Sequence, residues 1–90
     1  AENYFIRSNR ESGKGRYDIA LEPKKCTFPG IIVEVKAKGD SDEELAKLAQ
    51  SALQQIEEKQ YDADMKSRGI TKIYKYGIAF HKKQAEIMTN

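Results

Sequence analysis

Two short stretches, Arg16-Tyr17-Asp18-Ile19-Ala20-Leu21-Glu22 and Ile31-Ile32-Val33-Glu34-Val35-Lys36-Ala37-Lys38, decide how this chain is read. Both alternate. In the first, Tyr17, Ile19 and Leu21 point one way and Arg16, Asp18, Ala20 and Glu22 the other, the period of two that a β-strand imposes. In the second, Ile31, Val33, Val35 and Ala37 make an unbroken apolar face, while the opposite face reads Ile32, Glu34, Lys36, Lys38. One such strand alone is ordinary in a sheet with a solvated face. Two neighbours with the same pattern say more: paired as a hairpin with their apolar sides together, they place Asp18, Glu34 and Lys36 on one face. A helix then has to cover part of that face or leave it open as a cleft.

Working outward, Tyr4 to Ser8 is a short aromatic and β-branched run that predicts a first strand, ended by the polar, glycine-bearing stretch Asn9 to Gly15. Pro23 stops the second strand, and residues 24–29 read as a loop before the strand at 31–38. Asp40 and Ser41 are N-cap candidates, and Asp42, Glu43 and Glu44 place negative charge in an expected first helical turn. A helical pattern runs on to about Lys66, with Leu45, Leu48, Ala49, Ala52, Ile56 and Ala63 on one side, and Gly69 is the expected stop. Ile73 to Phe80 predicts a fourth strand and Gln84 to Met88 a fifth, after a turn at His81 to Lys83. The fold class is therefore α+β, order β-β-β-α-β-β, with one long helix packed on the sheet and carrying the chain from the third strand to the fourth.

Ninety residues leave room for one domain, and no Pro/Ser-rich linker, repeat or low-complexity tract divides it. Apolar residues at 39% are too many for a disordered tail. No apolar run approaches the ~20 residues that cross a bilayer. The chain opens Ala1-Glu2-Asn3 with neither Met nor a signal peptide, so a C-terminal piece of a longer protein is expected. Cys26 is the only cysteine and His81 the only histidine, which excludes an internal disulfide and a Cys/His zinc cluster and fits a reducing, cytoplasmic setting. A net charge of +2 permits a nucleic-acid partner without announcing one.

Chemistry enters through the shared charges. Two neighbouring carboxylates resist joint ionisation unless a cation lies between them, and hard divalent cations take oxygen ligands of this kind. Mg²⁺, or Mn²⁺ in its place, binds through one or two carboxylates plus substrate phosphate, leaving Lys36 to orient a water and to meet the charge that develops on phosphorus. That suits phosphodiester hydrolysis. The basic residues Arg7, Arg10, Lys14 and Arg16 cluster around the first turn, where they can flank a phosphate-bearing cleft.

The pairing of Asp18 with Glu34-Val35-Lys36 resembles the D...(E/D)xK signature of the PD-(D/E)XK nuclease superfamily. Four blocks in order, Ser8 to Ile19, Ile31 to Lys36, Gln55-Ile56 with Tyr61, and Tyr76 to Phe80, are similar more closely to the C-terminal nuclease-like domain attached to bacterial AAA-ATPase-like proteins. The resemblance implies a restriction-endonuclease-like mixed sheet and an ATPase domain on the same polypeptide. By position it implies Asp18 and Glu34 as metal ligands, the main-chain carbonyl of Val35 as a further ligand, and Lys36 as the catalytic lysine. Gln55 corresponds to the glutamine that related nucleases carry on the helix after the ExK strand; it lies about 80° from Leu45 on a helical projection, at the margin of the apolar stripe. Tyr61 projects nearly opposite Leu45, so a packing role and a functional one stand about even. Superfamily members usually begin with a helix that often brings a glutamate toward the metal; that helix is expected to be missing here, and Glu11 is the nearby acid able to stand in.

Other signals carry less. Gly13-Lys14-Gly15 lacks the spacing and the Ser/Thr of a phosphate loop. His81, Lys82 and Lys83 lie at an expected hairpin tip, able to touch a phosphate but ordinary as solvated residues. Tyr74 and Tyr76 with Lys72 and Lys75 read either as a surface for single-stranded nucleic acid or as routine sheet surface. The expected function is metal-dependent hydrolysis of nucleic acid, DNA first. The alternative is a non-catalytic nucleic-acid-binding or protein-interaction module that keeps the fold, and a third reading treats the three charges as solvated residues of a generic interaction domain. A sheet covered by one helix leaves apolar area on its second face, so a homodimer is also expected.

Overall fold

The computed structural model describes residues 3–12, 15–40 and 42–90, with the side chains of residues 9–12 and 15–17 outside that description. Five strands, β1 (Tyr4–Ser12), β2 (Gly15–Pro23), β3 (Gly30–Ala37), β4 (Ile73–His81) and β5 (Gln84–Thr89), form one sheet in the order β1-β2-β3-β4-β5. Strands β1, β2 and β3 are an antiparallel meander, β3 and β4 run parallel, and β5 returns antiparallel to β4. Two helices, α1 (Leu45–Glu58) and α2 (Ala63–Ser67), make the crossover that a parallel pair requires. The expected order β-β-β-α-β-β and the mixed sheet are found, and β1 runs farther into the hairpin than its apolar run suggested.

The helix differs in detail from its sequence reading. It begins at Leu45, capped by Glu44 without a side-chain bond, so Asp42, Glu43 and Glu44 precede it; Ser41 lies outside the described residues. It also does not continue unbroken to Lys66. Gln60 takes φ 55°, the Tyr61 amide donates to the Ile56 carbonyl, and the chain bends into α2. Gly69, at φ 90°, ends α2 as expected, since an L side chain is strained in that left-handed conformation.

Register settles which face the helix covers. Ala20 pairs with Ile32, Ile32 with Lys75, and Glu34 with Gly77, so Ala20, Glu22, Gly30, Ile32, Glu34, Ile73, Lys75, Gly77 and Ala79 share one face. All nine are buried, and Ala49, Ala52, Leu53 and Ile56 of α1 are buried too. The core completed by Tyr61, Met65 and Ile70 thus lies on the face with the small residues and the charges. The opposite face carries the larger apolar side chains and is open: Ile6, Ile19, Tyr74, Phe80 and Ile87 are exposed there.

Small residues explain the choice. A Cβ built on Gly77 would overlap the Ala49 carbonyl oxygen and the Leu53 amide of α1, so the helix backbone rests on the backbone of β4. Bulky Tyr74, Tyr76, Ile78 and Phe80 allow no such approach on the other face. Gly77→Ala is accordingly expected to cost about 2–3 kcal/mol of unfolding free energy, within the range for forced overpacking. Chemical denaturation reads it, and an unchanged midpoint would contradict the close approach.

Candidate metal and phosphodiester site

Burying a charged strand face under a helix leaves each charge needing a partner. Glu22 has one: Arg68 donates to both of its carboxylate oxygens from Nε and Nη2. The bonds from Arg68 hold the Glu22 carboxyl below the usual carboxylate range against the opposing effect of burial. Lys75 has two, with Nζ 3.0 Å from Glu57 Oε1 and 3.0 Å from Asp62 Oδ2. Asp62 also meets Lys66 at 3.0 Å. Burial opposes the charge on Lys75 and Asp62, yet their bonds outweigh it, leaving the lysine raised and the aspartate lowered. Lys75 therefore does not join Tyr74 and Tyr76 in a surface for single-stranded nucleic acid, since it is buried on the opposite face.

Glu34 is the exception. Only 7% exposed, it leaves Oε1 buried without a hydrogen-bond partner. The other such atom among the described residues, Arg7 Nε, still lies 3.6 Å from Glu22 Oε1. Burial, and then the nearby negative charge of Asp18, push the Glu34 carboxyl up to about 7, with Lys36 pulling it partly back. The three charges are therefore neither scattered nor solvated. Asp18 and Lys36 are half-buried beside Glu34, as the strand pattern predicts.

Backbone geometry opens the site further. The β2–β3 register ends at Ile19↔Val33, while β2 stays paired with β1 back to Gly15. Where the ladder stops, Asp18 substitutes its side chain: the Val35 N–H donates to Asp18 Oδ2 at 2.7 Å. In a strand the N–H and C=O of one residue point to the same edge, so the Val35 carbonyl faces β2 as well. Two carboxylates and a main-chain carbonyl thus meet at one break in the sheet, with an orphaned buried oxygen among them. This donor set fits a hard divalent cation that takes few protein ligands. Among the described residues no group of three His, Cys, Asp or Glu side chains gathers as a metal cage.

Gln55 lies elsewhere in its bonding. Its Nε2 donates to Tyr61 Oη at 2.9 Å, and among the described residues it makes no hydrogen bond to Asp18, Glu34 or Lys36. The two residues read separately from the sequence meet because the chain bends after Glu58, which also buries Tyr61 in the core. The side chains of Arg10, Glu11 and Arg16, and the whole of Lys14, lie outside the described residues. Sequence reasoning missed the Glu22–Arg68 and Lys75–Asp62–Glu57 pairs; Lys75 shares its parity with Gly77 and Ala79, a signal that was present.

The raised Glu34 pKa has a definite sign. Between about 4.5 and 7 the unfolded chain releases this proton and the folded one keeps it, so stability falls as pH rises through that window and stays lower above it. Glu34→Gln removes the loss. Without added cation the variant is expected to be more stable than the parent at pH 8, by on the order of 3 kcal/mol, and to lose that advantage below pH 4.5. Thermal melts across pH check this, and a pH-independent difference would contradict it.

A family model described as the PD-(D/E)XK nuclease superfamily matches residues 1–90. No curated protein and no solved structure matches the chain. The five-stranded mixed sheet with its bent helix is consistent with a restriction-endonuclease-like α+β fold, and members of the superfamily generally use divalent metal ions. With the match running the full length of the chain, this is a nuclease-like domain and belongs to the PD-(D/E)XK nuclease superfamily.

Proposed function

We propose that the domain hydrolyses phosphodiester bonds of nucleic acid, DNA first, with Asp18, Glu34, Lys36 and the Val35 carbonyl as its working groups. The observation that carries this reading is the orphaned Glu34 carboxylate beside Asp18, a charge the fold buries without supplying a protein partner. Asp18, Glu34 and the Val35 carbonyl would hold Mg²⁺ or Mn²⁺. A bound divalent cation supplies Lewis-acid polarisation of the scissile phosphate and makes a nearby water more acidic. The chain's own residues do the rest. Lys36, on the same face two residues beyond Glu34, orients the attacking water and places positive charge where negative charge develops on the phosphoryl oxygens. Asp18, fixed by its bond from the Val35 amide, keeps its carboxylate aimed at the break in the sheet. Gln55, bonded to Tyr61, acts here as a positioning residue for the helix bend. Arg10, Lys14 and Arg16, which the sequence groups around the first turn, are proposed to meet the substrate backbone.

The open apolar face favours a second reading, a module that binds a protein or a second copy and leaves chemistry to others. An ATPase domain on the same polypeptide and a cytoplasmic setting belong to these proposals too. No helix among the described residues is long and apolar enough to cross a membrane.

Calorimetric titration of Mg²⁺ and Mn²⁺ into the domain separates the readings. Binding is expected in the parent and lost in both Asp18→Ala and Glu34→Ala. Plasmid cutting is expected to need the metal and to fall at least 100-fold in Lys36→Ala, in line with the loss of a positioned acid–base group. A folded domain that binds no cation would leave the interaction module as the better account.

A further inference from the structure

We propose that the β4–β5 hairpin tip, His81-Lys82-Lys83, together with Lys38, holds the phosphate backbone of the nucleic acid that enters the Asp18–Glu34–Lys36 site. The proposal rests on the nuclease reading above and adds to it the path of the substrate.

Topology brings the groups together. Strands β3 and β4 run parallel in register to Ala37↔Phe80, and the Lys38 N–H donates to the Phe80 carbonyl at 2.8 Å. Lys38 and His81 therefore follow side by side at the carboxyl ends of the two strands. Lys38 is two residues beyond Lys36, about 7 Å at the rise of a strand. His81 falls on the same face as Gly77 and Ala79, the face that carries Glu34 and Lys36. A shallow pocket at the tip is lined by His81, Lys82, Lys83 and Gln84.

The charges there are free, and the backbone is strained to present them. Among the described residues neither Lys38, Lys82 nor Lys83 has an ion pair, whereas Lys66 and Lys75 are both engaged. The nearest acid on the paired strands is Glu86, which sits opposite Ala79, one step back toward Lys36. His81 pairs with Gln84, leaving Lys82 and Lys83 as the whole of a two-residue turn, and Lys82 takes φ 54°. Such a position favours Gly, Asn or Asp, and a lysine there costs on the order of 1 kcal/mol. A hairpin chosen for stability alone would carry Gly or Asn at position 82. Lysine pairs at a turn tip are suited to phosphate oxygens rather than base edges, because a compact ammonium on a long stem imposes no planar geometry. The contact is therefore to the backbone and insensitive to sequence.

The test measures fluorescence anisotropy of a labelled duplex of about 20 bp in metal-free buffer, over a range of salt concentrations, so that no cutting intervenes. Lys82→Asn/Lys83→Gln is expected to weaken binding about tenfold at low salt and to reduce the slope of log K against log salt by about 2. Its melting temperature is expected to hold or rise, because Asn suits the turn; a merely structural lysine pair would show the reverse. Lys25→Gln/Lys72→Gln removes the same charge at the opposite end of the sheet and is expected to keep the parental slope. A tip variant that binds like the parent, or a control that loses as much, overturns the proposal. If cation binding and cutting persist in that case, the nuclease reading survives alone. A parent chain that binds no duplex at any salt overturns the path and the DNA substrate together.

Discussion

The rest of the structure depends on the contact between the backbone of α1 and the backbone of β4 at Gly77. With no side chain between them, the helix sits low on the sheet, and Ala49, Ala52 and Ala79 are buried without large side chains to separate the layers. Close approach gives dense packing, which a single helix on a small sheet needs. It also selects the face. The larger apolar side chains would hold a helix away, so they are left on the open side, and the covered side is the one that carries the charges.

That choice has an electrostatic consequence. Among the described residues four charged side chains, Glu22, Glu34, Asp62 and Lys75, become buried. Partners come from the crossover itself: Arg68 follows α2, Asp62 precedes it, and Glu57 lies in the last turn of α1. The crossover therefore clamps the sheet near the amino ends of β3 and β4, where its bend brings these side chains down. A buried pair of this kind adds little net stability over apolar packing, but removing one member leaves an uncompensated charge, so it fixes where α2 can dock. Glu34 lies toward the other end of the strands and receives no such partner. The same burial that is compensated at one end is left uncompensated at the other, which is what separates a structural charge from a candidate ligand.

Much of this was legible. Period-two alternation located β2 and β3, an apolar and aromatic run located β4, the apolar stripe at helical spacing located α1, and the parity of Asp18, Glu34 and Lys36 placed them on one face. Side-chain volume was harder to read. The strand Ile73 to His81 has its hydrophobic weight on Tyr74, Tyr76, Ile78 and Phe80, and only a helix resting on Gly77 reveals that the lighter set is the core. The bend after Glu58 was likewise hidden, because Gln60 is an ordinary helix residue until tertiary packing forces it to positive φ; for that reason Tyr61 projected away from a stripe to which the folded chain returns it. Glu34 as an acid in a strand was visible, but its orphaned oxygen was not, since lack of a partner is a property of the assembled face.

A division of labour along the strands follows. In sheets with parallel strands and a helical crossover, ligands collect beyond the carboxyl ends of those strands, where the chain leaves the sheet and the helix no longer covers it. Here the parallel pair is β3 and β4. Their amino ends carry the buried Gly30 and Ile73, and there the crossover's ion pairs close over the buried Glu22, Asp62 and Lys75. Toward their carboxyl ends the cover on the helix face thins: Glu34 and Ala79 are buried, whereas Lys36, Lys38 and His81 are half-buried. Strand β2 leaves β3 at this same level, so Asp18 must complete the hydrogen bonding of Val35 with its side chain. Loss of the ladder and thinning of the helix cover coincide, and together they leave a buried carboxylate oxygen without a partner beside a main-chain oxygen and Lys36. The core is what keeps that opening from closing, because sliding β2 onward along β3 would need Ala20 and Ile32 to leave their register beneath the helix.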